Sequence, residues 1–362
     1  VNNTMIGRAA GASMTTAQKI TAVGATTFNY LTVATDSTAI GYDAGEYATG
    51  SYNTFVGSEA GQGGTTSAPY SSGINNTALG YQALTGFTTG GNNTAVGYLT
   101  ANNLTTGDHN TAIGNQAAPA LTTGIRNVAI GSAALQSEDS YGYNTAVGYG
   151  ALAALNANAN GYNTAVGYQS GNGITTGIQN TSLGASTVFD VDANNQTAIG
   201  YGATTDSAND IAIGNTSVDE IKGQVDFSTF SDERIKKDII DGDLGLDFIN
   251  KLKPRKFKKV NPNEYPDEIR KPADESATWS DEQENKVWDG LIAQEIKEVT
   301  DKLGTTFSGW NEESNSKQLV AYSSLVTPLI KSVQELSEEN KQLKDKLNDL
   351  EIFIMDKLGD DK

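Results

Sequence analysis

One five-residue phrase returns thirteen times before residue 215, and its spacing limits what this part of the chain can become. The clearest copies are NTALG at 76–80, NTAVG at 93–97, NTAIG at 110–114, NVAIG at 127–131, and NTAVG at 144–148 and again at 163–167. Fainter copies end at Gly7, Gly24, Gly41, Gly57, Gly184, Gly200 and Gly214. Seven of the twelve glycine-to-glycine steps are 17 residues; the longest, 23, carries an insertion around Gly63–Gly73 with Pro69 in it, expected as an outer loop. A second phrase lies between copies: Phe87-Thr-Thr-Gly90, Leu104-Thr-Thr-Gly107, Leu121-Thr-Thr-Gly124 and Ile174-Thr-Thr-Gly177. Seventeen residues cannot comfortably hold a helix, a strand and two turns. β-Branched residues, alternation and glycine punctuation instead predict two short extended pieces per unit. Within each phrase Thr and Val share one face and Ala takes the other. Because Val128 fills a Thr slot, the Thr/Val face is expected inward. Stacked at about 4.8 Å, thirteen such coils make a rod of roughly 60 Å, a parallel β-roll or β-solenoid. One coil buries little, so several chains are expected side by side.

NVAIG at 127–131 and Asp210-Ile-Ala-Ile-Gly214 resemble the head repeats of trimeric autotransporter adhesins. The resemblance covers most of residues 1–223 and implies a left-handed parallel β-roll packed as a homotrimer. Chemistry is sparse here. His109, the only histidine, sits between Asp108 and Asn110 and reads as a solvated turn residue. Asp190-Val-Asp192-Ala-Asn194 opens like a calcium loop, but Asn195 and Tyr201 stand where such a loop needs Gly and Glu, so no metal is expected. Nothing asks for a cofactor. The Thr columns could form an ice-binding face, although Thr simply suits strands. Tyr42, Tyr81, Tyr98, Tyr149, Tyr168 and Tyr201 each follow a repeat glycine and could offer sugars an aromatic stripe; packing between coils or chains is the plainer reading.

The composition changes abruptly near residue 231. Upstream lie 14 acidic and 4 basic residues and 33 of 39 glycines; downstream lie 29 acidic and 21 basic residues and 6 glycines. That shift marks a boundary, placed at 223/224. Both halves are acidic, within a net charge of −18, which disfavours nucleic acid or an anionic membrane surface as partner. The absence of cysteine excludes disulfides and Cys-based zinc sites, and no apolar run of about 18 residues could insert in a membrane. Val1 opens mid-repeat with no signal peptide, as a piece of a longer chain would.

At the boundary stands Phe230-Ser231-Asp232-Glu233-Arg234-Ile235-Lys236-Lys237. Read alone, it is a helix start with Ser231 as N-cap and acids in the first turn. Three stretches follow in order: LKPRKFK at 252–258 after Lys251, WDGLIAQEIKEV at 288–299 and LVAYSSLVTPLI at 319–330. Together the four motifs, over about 100 residues, resemble the peptidase S74 domain, the intramolecular chaperone of endosialidases and tail spikes. That resemblance implies a domain at 224–330 that trimerises, guides folding of the β-rich part ahead of it, and then cuts itself off before the motif serine. Carried over, the cleavage site is Phe230–Ser231, the nucleophile is Ser231 and the base is Lys236, with Lys237 as rival. Residues 231–362 contain no histidine, so a Ser-His-Asp triad is impossible there. The basic run Lys251–Lys259 could meet nucleic acid, but reads better as a half-buried strand with solvated lysines. Residues 261–285, with Pro262, Pro266 and Pro272, read as a surface insertion whose acids select no glycosidase pair.

From Tyr322 the apolar residues fall on heptads: Val326, Val333, Leu347 and Ile354 at a, with Asn340 among them, and Tyr322, Leu329, Leu336, Leu343 and Leu350 at d. That spacing predicts a coiled coil at the C-terminus, residues 331–362 as a segment. The whole reads as a mainly β N-terminal part, then an α+β domain ending in a coiled-coil helix. The function expected is that of a tail fibre or tail spike of a phage-like virion, binding a host-surface glycan or protein receptor beside other tail proteins. A bacterial surface adhesin and a glycan-degrading spike are the alternatives.

Overall fold

The computed structural model describes residues 2–65, 68–218, 220–224, 227–270, 278–313 and 316–359, excluding the side chains of 358 and 359. Pro272 of the expected insertion lies outside the described residues. The chain forms two compact units, Val1–Val218 and Asp219–Lys362.

The first unit is a parallel β-solenoid of about twelve turns. Thirteen three-residue strands, β1 (Thr4–Ile6) to β13 (Ile211–Ile213), make one sheet in strict sequence order. The register is strict as well: Thr94 pairs with Thr111, Ala95 with Ala112 and Val96 with Ile113. The repeat glycine ends each strand with a backbone only glycine holds easily. At Gly97 φ is +138°, and an added Cβ would lie 2.4 Å from the carbonyl oxygen of Gly114 one coil on.

Two expectations change here. The Ala column, not the Thr/Val column, faces inward: Ala78, Ala95, Ala129, Ala146 and Ala165 are fully buried. The coil is so narrow that a methyl group fills the space opposite the buried Leu84, Phe87, Leu104 and Leu121. Thr and Val/Ile/Leu therefore form an outward ladder, with Leu79, Leu183 and Ile213 exposed. Phe55 takes an Ala slot, and Gly61 makes room, since a Cβ there would meet the Phe55 ring at 2.2 Å. Second, each coil holds one strand rather than two extended pieces. The Leu-Thr-Thr-Gly phrase is bent. Its Leu fills the core, and its first Thr donates its hydroxyl to the next coil, as Thr88 Oγ1 does to Thr105 O (3.1 Å) and Thr105 Oγ1 to Thr122 O (3.0 Å).

The Asn that opens nine of the thirteen phrases has a structural task. Asn110 Oδ1 accepts from the Asn127 backbone N–H at 2.9 Å, and its Nδ2 donates to the Gly124 carbonyl at 2.8 Å. The same pair of bonds recurs at Asn76, Asn93 and Asn163, giving a buried amide ladder along the solenoid. The coils that carry this Asn thus supply their neighbours with buried hydrogen-bond partners.

The second unit is small and α+β. Helix α1 (Leu246–Lys251) is followed by strand β14 (Arg255–Phe257), helix α2 (Asp281–Asn285), strand β15 (Trp288–Gly290) and helix α3 (Ala293–Leu303). Strands β16 (Trp310–Glu312) and β17 (Gln318–Val320) form a hairpin before the long helix α4 (Val326–Gly359). β14 pairs antiparallel with β15, and β16 with β17. Phe248, Ile296, Val299 and Phe307 make the core. Lys251 ends α1 rather than opening the expected strand. Gly245 is the N-cap residue of α1 and has no side chain to give; Glu335 of α4 supplies the acceptor, taking the Leu246 N–H at 2.7 Å. A Cβ on Gly245 would lie 2.3 Å from that carboxylate. Tyr322, expected at a heptad d position, lies in a 3-10 turn ahead of α4, where its hydroxyl accepts the Leu291 N–H at 2.8 Å. Beyond it the a and d residues Val333, Leu336, Leu343, Leu347, Leu350 and Ile354 are exposed on the single chain.

Candidate functional site

The candidate site is the segment 230–237, near the start of the second unit. Ser231 is not the helix cap its sequence suggests. Asp232 is, with φ −65° and ψ 136°, and the helix is a single 3-10 turn, Glu233–Ile235. Asp232 Oδ1 accepts the Arg234 N–H at 2.9 Å, the capping bond that Ser231 was expected to make. Arg234 closes a fork on the same carboxylate, Nε to Oδ1 at 2.9 Å and Nη2 to Oδ2 at 2.6 Å. The fork holds Asp232 below the ordinary carboxylate range, the Arg234 side chain contributing most and its backbone N–H next. The same bond raises Arg234.

The turn ends at Lys236, whose backbone is extended and whose N–H donates to Glu233 O at 3.0 Å. Five residues from the serine, the chain has reversed far enough for Lys236 Nζ to donate to Ser231 Oγ at 2.7 Å. Lys237 points elsewhere, with Nζ 4.0 Å from Asp238 Oδ2. None of the turn residues is buried, and Phe230 is 91% exposed. The neighbours Phe227, Ile235, Ile239 and Ile240 are exposed too. A serine, a lysine and a preceding peptide bond thus lie together in the open. An ammonium that donates a hydrogen bond is not yet a base. The same contact, with the proton on oxygen and the lone pair on nitrogen, is the one a Ser-Lys nucleophile requires.

The other sequence candidates take structural places. His109 is an exposed residue at φ 62°. Asp192 accepts the hydroxyls of Thr176 (2.7 Å) and Thr175 (2.8 Å) one coil back, which lower its pKa, and Asn194 accepts the Ile178 N–H. No cluster of three metal-ligating residues occurs among the described residues. The tyrosines after the repeat glycines are exposed and stack where coils are adjacent, Tyr81 on Tyr98 at 5.5 Å and Tyr149 on Tyr168 at 5.4 Å between centroids. In the basic run, Arg255 and Lys253 pair with Glu295 of α3 and Lys256 with Asp289 of β15, while Lys259 lies over the Trp288 ring. Much of the positive charge is therefore answered within the unit. No described helix is long and apolar enough to cross a membrane.

One buried acid escaped the sequence reading. Glu138 fills the core slot that Leu121 and Leu155 occupy in neighbouring coils, and is fully buried. Its carboxylate accepts the N–H groups of Tyr141, Ala157 and Ser140, at 2.8, 3.1 and 3.3 Å. Burial outweighs those bonds and raises its pKa. The signal was present: step 17 on from Leu121 lands on Glu138, where the Leu-Thr-Thr-Gly phrase fails.

Residues 231–305 match the family model described as the chaperone of endosialidase, and the match begins at Ser231 itself. Comparison with curated proteins and with solved structures gives no match. The matched domain and the solenoid ahead of it fit a tail-spike or tail-fibre protein with a C-terminal chaperone.

Proposed function

We propose that the chain is a structural fibre or spike protein of a phage-like particle, whose C-terminal domain trimerises, folds the solenoid and then severs itself between Phe230 and Ser231. The observation that carries the reading is the 2.7 Å contact between Lys236 Nζ and Ser231 Oγ at the first residue of the chaperone match. In the proposed step a neutral Lys236 takes the Ser231 hydroxyl proton while Oγ attacks the Phe230 carbonyl carbon. The Oγ–C bond forms, the C–N bond breaks, and the proton passes to the departing Ser231 nitrogen. Water then hydrolyses the ester, leaving a Phe230 carboxylate and Ser231 as a new N-terminus. Each chain reacts once, on itself.

Burial favours the neutral form of a lysine. In the single chain the dyad is exposed, so the step waits for a cover, and the closing of three chains would provide one. Cutting then reports correct assembly. The outward Thr-and-Val ladder of the solenoid and the exposed a and d residues of α4 are the apolar surfaces that such a trimer would bury. The persisting particle-borne part would be residues 1–230, carried on the virion with other tail proteins and binding a glycan or protein receptor on the host surface.

Ser231→Ala, Lys236→Met and Lys237→Met, each followed on denaturing gels, test the assignment. The first two are expected to stay at full length and the third to cut. Cutting in Ser231→Ala would remove the proposed nucleophile, and a Lys237→Met chain that alone stays whole would transfer the base to Lys237. Light scattering of the uncut Ser231→Ala protein should return three times 38.1 kDa; a monomer would refute the trimer.

A further inference from the structure

We infer that Asp232 and Arg234 are positioning residues for the self-cleaving dyad, an inference that rests on the Ser231–Lys236 reading above. The turn Glu233–Ile235 is three residues long and has no buried side chain, so packing does not hold it. A lone helical turn is intrinsically unfavourable, because its backbone is fixed for very few hydrogen bonds. What stabilises this one is local. Asp232 caps it through the Arg234 N–H, and the Arg234 side chain grips both carboxylate oxygens. The turn in its own right contributes Ile235 N–H to Asp232 O at 3.2 Å and Lys236 N–H to Glu233 O at 3.0 Å.

The geometry links this clamp to the dyad. Ser231 directly precedes the cap residue and Lys236 directly follows the turn, so the one reversal sets the distance between them. If residues 232–235 were extended, five residues would carry the lysine backbone roughly 16 Å from the serine, well beyond the 2.7 Å contact that is seen between the side chains. Neither Asp232 nor Arg234 makes a described hydrogen bond or ion pair to the reacting groups; both act through the backbone between them. The planar arginine fork matters for the same reason: it fixes the carboxylate in the orientation that also accepts the N–H.

The experiment follows cutting of the full 362-residue chain after synthesis in a cell-free system, as the fraction cut against time. Wild type is compared with Asp232→Ala, Asp232→Asn, Arg234→Met and Arg234→Lys at 0.05 and 1 M NaCl. Loss of a cap of this kind slows cutting roughly fivefold in Asp232→Ala. Asn keeps the capping oxygen and loses the ion pair, so Asp232→Asn should fall between the two. An exposed ion pair is screened by salt, so the wild-type rate should drop in 1 M NaCl relative to that of Asp232→Asn. A merely structural role would leave that comparison flat. Melting curves and trimer mass of each variant, on the Ser231→Ala background, should match the parent, since neither side chain reaches the core. Asp232→Ala cutting at the wild-type rate, or equal salt dependence in wild type and Asp232→Asn, would overturn the clamp. Cutting by Ser231→Ala would instead overturn the dyad reading itself, so the two failures are told apart.

Discussion

Asn110→Ala tests the amide ladder at its centre. The substitution removes the acceptor for the Asn127 N–H and the donor to the Gly124 carbonyl, 2.9 and 2.8 Å away in the native coil. Asn110 and Asn127 are buried, and no other described bond serves that N–H. A buried polar group left unpaired costs about 1–3 kcal/mol, so two cost about 2–6 kcal/mol if the coil cannot relax. Because each coil of a solenoid contacts only its neighbours, the loss should open the structure locally rather than lower it uniformly. Hydrogen exchange is the suitable assay. With about 1.4 kcal/mol per factor of ten, amides of the coils around Asn110 should exchange at least about 30-fold faster, while those near Thr21 and Thr197 keep their native rates. Thr106→Ala, at an exposed neighbouring position, serves as control. Equal exchange in Asn110→Ala and Thr106→Ala would refute the ladder as a source of stability.

Glu138 makes the first unit pH-sensitive in a definite direction. Its raised pKa means that the fold binds its proton more tightly than the unfolded chain does. That contribution is complete below the ordinary value of 4.5 and is lost as pH rises through the higher folded value. Glu138→Gln should therefore gain thermal stability on wild type between pH 4 and 8, a difference read from paired melts; a constant offset would contradict it. In the second unit, Glu335→Ala removes the acceptor for the Leu246 N–H and should cost about 1 kcal/mol in urea titrations. No change in midpoint would mean that α1 is capped by solvent instead.

The solenoid was legible because its period is written in glycine and asparagine, which answer to backbone geometry and are tolerant of little else. The inward face was not legible, since Thr-Ala-Val alternation offers a small residue on one side and β-branched residues on the other. Only the narrowness of the coil, set by Leu and Phe from the second phrase, decides that Ala95 goes in and Val96 out. The Asn ladder was hidden because Asn in a turn has a sufficient local explanation, and its partners lie 14 and 17 residues away. In the second unit the motif residues pointed to the candidate site, and the cap lies one residue on from the one they suggested. Asp232 outcompetes Ser231 for the turn because Arg234 can fix a carboxylate and has no such hold on a hydroxyl. Glu335 as the cap of α1 lies 89 residues from its partner, beyond any local pattern.

Self-cleavage before Ser231 is best tested by the intact mass of freshly purified, fully denatured protein. Two species are expected, residues 1–230 and 231–362, with Ser231 as the new N-terminus of the second. A single species at 38.1 kDa, from protein already shown to be trimeric, would contradict it and leave residues 231–362 as a permanent trimerisation cap.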